Sequence, residues 1–140
     1  MLNIAKTKLE QENYTCVLTD GERFFTSRER GVKPIVEFIA SKSLPKGLFA
    51  ADKVVGKATA YLYILLEIKS LYAKVISKPA LKALGENGIE VKYESLVDNI
   101  INRKGDGICP FEMAVLKIND ANEAYTAILD KMIELNIKLI

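Results

Sequence analysis

Two short stretches carry residue types that do chemistry at usable spacings. The first is "FAADKVVGKATAYLYILLEI", residues 49–68. A short apolar run meets Asp52-Lys53, the pair Gly56-Lys57 follows, and a long apolar segment begins. Strand, turn, Gly-Lys and helix is the layout of a phosphate-binding loop. The full motif needs a glycine five residues before Gly56 and a hydroxyl after Lys57. Ala51 and Ala58 stand there, and both tests fail. The physics of such a junction does not need the motif. A helix start presents free amide hydrogens and partial positive charge. Lys53 and Lys57, four apart, can share a helix face, Gly56 permits close approach, and Asp52 can cap the helix or take a ligand hydroxyl. The plain alternative is that Asp52 is only a cap, Gly56 a packing contact and the lysines solvated.

The second stretch is "INRKGDGICPFEMAV", residues 101–115. Cys109 precedes Pro110 at a predicted helix start, where the dipole favours thiolate. Arg103 and Lys104 are near in sequence, and Glu112 can close the helix start or carry a proton. Gly105 and Gly107 make the loop permissive, which suits folding over a ligand. Asn102 and Arg103 are therefore candidate ligand contacts. Cys109, Asp52 and Glu112 are the candidate catalytic set. The alternative is a small buried cysteine at a tight turn and an ordinary first-turn acid.

Composition removes much other chemistry. The 140 residues contain no histidine, which excludes a Ser-His-Asp triad, a histidine base and histidine-ligated metal. Two cysteines cannot alone build a structural zinc site. No metal and no cofactor is expected. Net charge is +2, too weak a field to announce nucleic acid. No apolar leader or membrane span is evident, so a soluble, cytoplasmic protein with free thiols is expected. The length suits one domain spanning residues 1–140, and 49% apolar residues supply a core.

The elements that must position these residues follow from pattern. Residues 2–12 read as a helix with Leu2, Ala5 and Leu9 on one face. "YTCVLTDGERFFTS" reads as a hairpin closed by a two-residue turn at Asp20-Gly21, with Cys16 in its core. "GVKPIVEFIASKS" is a helix burying Val32, Ile35, Val36 and Ile39, with Pro34 in its first turn. "GLFAAD" is a strand, and "KVVGKATAYLYILLEIK", apolar nearly all round, is the central helix. "LYAKVIS" is a strand. A helix capped by Ser77 then ends at Gly88. "IEVKYE" is a strand, "SLVDNII" one or two helical turns, and "PFEMAVLKI" a short helix. Asp120 with Glu123 makes a capping box for a last helix whose apolar face is Ala124, Ile128, Met132 and Leu135. Tyr61, Tyr63 and Tyr72 read as core residues with hydroxyls at its edge. Strands alternating with helices imply parallel pairing beyond the antiparallel hairpin. The expected fold is α/β, a three-layer α/β/α sandwich around a mixed five-stranded sheet, with a helical C-terminal extension. The apolar end "ELNIKLI" favours a homo-oligomer.

"ADKVVGKATA", "LYAKVIS" and "IINRKGDGICPFE" resemble the bacterial domain-of-unknown-function family 1893. The resemblance covers nearly the whole chain. It implies a cytidine deaminase-like fold, with the last two strands parallel as in the nucleic-acid-editing deaminases. It does not bring their chemistry. Those enzymes hold zinc with H-x-E on one helix and P-C-x-x-C on the next. The matching stretches here, "TSRERGVKP" and "ADKVVGKA", contain neither histidine nor cysteine. What the resemblance leaves is the crevice, lined by Arg28, Glu29, Arg30, Asp52, Lys53, Gly56 and Lys57. Such a lining suits an anionic, hydroxyl-bearing partner, a nucleotide or sugar phosphate. Three functions follow: a zinc-free binding protein for a nucleotide-like or phosphorylated small molecule, a metal-free cysteine-dependent transferase or hydrolase acting on a nucleotide-linked group, and an oligomeric scaffold.

Overall fold

The computed structural model describes residues 1–102 and 104–138. In chain order these form α1 (Leu2–Gln11), β1 (Cys16–Thr19), β2 (Phe24–Ser27), α2 (Lys33–Ser41), β3 (Phe49–Val55) and α3 (Lys57–Leu65). They continue with β4 (Ser70–Ser77), α4 (Lys78–Glu86), β5 (Glu90–Val97), α5 (Pro110–Ala114) and α6 (Ala121–Glu134). The sheet has five strands in the order β2-β1-β3-β4-β5. β1 is antiparallel to β2 and β3, while β3, β4 and β5 are parallel. The mixed α/β sheet expected from the pattern is present, with helices against both faces and a C-terminal helix.

Strand alternation divides the core. Val17, Ala51 and Tyr72 pack with Ala5 and Leu9 of α1 on one face. Their neighbours Leu18, Ala50 and Leu71 point the other way, into a larger cluster with Ile35 of α2, Leu62 of α3, Leu84 of α4 and Ile128 of α6. Six consecutive residues of α3, Ala58 to Tyr63, are buried, so this helix is central as its composition demands. α6 packs on α3 and α5. Local signals hold where they act within a few residues. The Ser77 hydroxyl accepts from Ala80 N–H, the Asp120 carboxylate accepts from Glu123 N–H, and Gly88 has φ +73°.

Four expectations need correction. Thr19 pairs with Phe24, so the hairpin loop holds four residues, Asp20 to Arg23. The Asp20 side chain accepts from the amides of Glu22 and Arg23 and folds the loop around itself. Residues 95–97 continue β5 instead of turning into helix, because parallel pairing with β4 extends to Ser77↔Val97. α5 stops at Ala114, earlier than the pattern suggested. Most consequential, β3 runs through Asp52 and Lys53 to Val55, and α3 begins only at Lys57. Asp52 is a strand residue, as the pattern had it, but the strand continues past it and Asp52 caps no helix. Lys53 and Lys57 share no helix face. The polar pair looks like a turn in sequence because its partners lie elsewhere in the fold.

Candidate functional site

The β3–α3 junction is one residue long. Gly56 is the N-cap of α3, with no side chain to receive the orphan amides. Glu112, from α5, fills that role: its Oε1 accepts from Lys57 N–H at 2.8 Å and its Oε2 from Ala58 N–H at 2.9 Å. A buried carboxylate thus sits on the positive end of the central helix, where dipole and free donors both favour it. Gly56 is explained by the same contact, since a Cβ there would lie 2.5 Å from the Glu112 carboxylate. Lys57 Nζ donates to Leu116 O at 3.1 Å and ties down the end of the same segment. Burial lowers the Lys57 pKa, Glu112 works against that, and Lys82 adds to it.

Asp52 sits on the α3 side of the sheet. It is 7% exposed. Its Oδ2 accepts from the Tyr63 hydroxyl at 2.6 Å and its Oδ1 from Val54 N–H at 3.2 Å. Cys16 stands opposite it in the β1–β3 register. Burial pushes the Asp52 carboxyl up to about 7, against the lowering effect of the Tyr63 and backbone hydrogen bonds. Burial also raises Cys16 and Tyr63 well above their ordinary values, with Asp52 adding to both.

Beside the Glu112 contact lies a cleft of about 360 Å³, where the starts of α3 and α4 meet the chain between α5 and α6. Lys57, Lys78 and Lys82 line it with Tyr61, Leu116 and Asn119. Lys57 and Lys78 are each the first residue of a helix that follows a parallel strand. One end of the cleft therefore lies at the carboxyl ends of β3 and β4, where open α/β sheets bind ligands, and the cleft extends along α4 to Glu86. Lys78 pairs with Asp98 at 2.9 Å, and both side chains are largely exposed. The Tyr61 hydroxyl donates to Ile118 O at 3.2 Å.

The residues nominated from sequence are dispersed among several neighbourhoods. Lys53 points to the segment just after α1, where its Nζ donates to Asn13 Oδ1 at 2.6 Å. The Arg28 guanidinium lies 4.3 Å from the Tyr14 ring centroid and donates to Glu12 O at 3.1 Å. Arg30 is exposed in the connection before α2. Asn102 exchanges hydrogen bonds with Asp106 within its own loop, and Arg103 lies outside the described residues. Cys109 is the partly buried N-cap of the five-residue α5, its N–H donating to Ile100 O at 3.0 Å. Among the described residues no hydrogen bond joins Cys109, Asp52 and Glu112 to one another. Lys57, Gly56 and Glu112 do come together, at the start of α3. Sequence reasoning passed over Lys78, Lys82 and Asn119. Aligning the two strand–helix junctions would have exposed the parallel placement of Lys57 and Lys78.

Among the described residues no group of three or more Cys, Asp or Glu side chains is placed to hold a metal ion. The deaminase zinc does not fit the helix starts. Lys33-Pro34 begin α2 and Lys57-Ala58 begin α3, and the carboxylate nearby is engaged by backbone amides. No helix among the described residues is long and apolar enough to cross a membrane.

Residues 4–132 match the family TM1506, described as a domain of unknown function (DUF1893). The crystal structure of a DUF1893 family protein (TM1506) from Thermotoga maritima superposes with a TM-score of 0.86 at 33% identity, over 93% of this chain and 88% of that one. No curated protein matches the chain. The family match spans nearly the full length, and the junction, the parallel strands and the Cys-Pro helix start lie within it: the chain belongs to the DUF1893 family.

Proposed function

We propose that this protein is a zinc-free binding protein on a deaminase-like three-layer scaffold, and that it holds a phosphorylated, nucleotide-like small molecule in the cleft beside the α3 start. One observation carries this reading: Lys57, Lys78 and Lys82 converge from two helices on one cleft at the carboxyl ends of parallel strands. The volume is at the lower end of small-molecule sites, which run from roughly 300 to 1,000 Å³. The first two α3 amides, of Lys57 and Ala58, are already paired with Glu112, so the ammonium groups are the anion-holding element. Lys57 loses charge stabilisation through burial and through Lys82, and an arriving phosphate offsets both. The exposed Lys78–Asp98 pair is worth about 1 kcal/mol or less and exchanges readily for a ligand. Asn119 and Glu86 offer polar partners for ligand hydroxyls, and Leu116 with Pro79 an apolar wall.

The test is a thermal-shift series with nucleotides, their nucleosides and sugar phosphates on wild type, Lys82→Ala and Cys109→Ser. Lys82 is preferred to Lys57, whose ammonium also holds Leu116. Ligand at about 100 times its dissociation constant adds roughly 2.7 kcal/mol, a visible shift. The expected result is a shift with phosphorylated compounds, absent with their dephosphorylated counterparts and lost in Lys82→Ala. No shift with any compound overturns the reading. A shift kept in Lys82→Ala but lost in Cys109→Ser moves the site to the glycine-rich loop and revives cysteine chemistry.

A further inference from the structure

We infer that β5 is a homodimerisation edge, joining two copies of this chain antiparallel about a two-fold axis at Tyr93. β5 closes the sheet on one side, and its eight residues pair only with β4. Among the described residues no other backbone group pairs with its outward N–H and C=O groups. Proteins blunt such edges with short strands, proline, bulges or covering elements. This edge is long for a strand, carries no proline, and presents Tyr93 at 42% and Leu96 at 39% exposure. The opposite edge, β2, has four residues.

The occupant follows from the charges. Glu90, Lys92 and Glu94 alternate along one face of the strand. Antiparallel pairing centred on Tyr93 sets Lys92 of each copy directly opposite Glu94 of the other, twice by symmetry. Tyr93 then meets its own symmetry mate on the other face. Centring on Lys92 opposes Lys92 to itself and Glu90 to Glu94. Centring on Glu94 opposes Glu94 to itself. Centring on Val91 also opposes Glu90 to Lys92, but it pairs only residues 90–92 of the strand, against 90–96 about Tyr93. Like charges directly opposite are unfavourable, so charge and paired length together select one register. A lone lysine on an edge usually repels a partner strand. Here its partner residue is supplied by the second copy. The union makes one continuous sheet through both subunits and leaves the lysine cleft, on the α3–α4 side, outside the new contact.

Sedimentation or light scattering decides the matter, with circular dichroism on each variant. Wild type is expected to be dimeric. Lys92→Glu, at an exposed position, sets Glu against Glu in both pairs and weakens the dimer by about tenfold or more. Glu94→Lys does the same with lysines. Mixing the two variants restores association, because each then supplies the other's counter-charge. The double variant Lys92→Glu with Glu94→Gln, which removes the like charge and keeps an acceptor for the Tyr72 hydroxyl, is the second route to that rescue, should Glu94→Lys lose its fold with the Tyr72 contact. A monomeric wild type overturns the inference. So does a dimer indifferent to Lys92→Glu, which would place the contact elsewhere, or failure of both the mixture and the double variant.

Discussion

Two carboxylates in this protein are buried to nearly the same depth, and they sit in opposite kinds of surroundings. Glu112 is 8% exposed and Asp52 is 7% exposed. Each Glu112 oxygen receives a backbone N–H from the first turn of a nine-residue helix, so amides and dipole meet the charge together. Asp52 has a phenol hydroxyl and one longer amide contact, and among the described residues no cation pairs with it. Burial wins there, and its carboxyl titrates near neutrality. Depth alone therefore does not decide what a buried acid is for. The supply of donors does. Glu112 is a fastener between the C-terminal segment and the central helix, while Asp52 is a proton-holding group inside the core.

The largest expected effect is the response of Asp52 to pH. The folded pKa of Asp52, about 7, lies above its ordinary 3.8, so the folded state binds the extra proton between those values. Its contribution is most favourable below about pH 4 and is lost as pH rises through about 7, a span on the order of 4 kcal/mol. Asp52→Asn keeps a similar shape and removes the titration. Urea unfolding across this range should show wild type declining relative to the variant. Parallel curves would mean that Asp52 is charged throughout. Asp20 is held down to about 2 by the amides of Arg23 and Glu22, so it titrates below the window.

Next in size is the loss of the fastener. Glu112→Ala strands two amides of α3 and should cost about 3 kcal/mol in urea unfolding. Gly56→Ala should cost roughly 1–3 kcal/mol in wild type, because its methyl group meets the carboxylate. In the Glu112→Ala background most of that cost should vanish. A double-mutant cycle measures the coupling, and additive effects would separate the two residues.

The smallest effect sharpens the Asp52 side. Tyr63→Phe removes the hydroxyl that stabilises the carboxylate, costing about 1 kcal/mol. It should also move the pH at which wild-type stability levels off upward from about 7. An unchanged midpoint in the pH titration of stability would show the phenol to be a passive neighbour.

The sheet, its parallel half and the order of helices were legible in the chain. Pro34, Ser77, Pro79, Gly88 and Asp120 punctuate it through backbone geometry and hydrogen bonds that reach only a few residues. The nominated residues of the β3–α3 junction were legible as a place but misread as an arrangement. Asp52-Lys53 suggested a turn by polarity, yet the strand carries both because Tyr63 receives one side chain and Asn13 the other. Glu112 suggested a first-turn acid of its own short helix and instead caps a helix whose start is 55 positions earlier. Hydrophobic period, turn chemistry and caps are short-range effects, and the amino-acid order is enough to determine them. Which carboxylate meets which amides depends on where long connections bring distant elements, and only burial in the folded chain makes those pairings strong enough to choose.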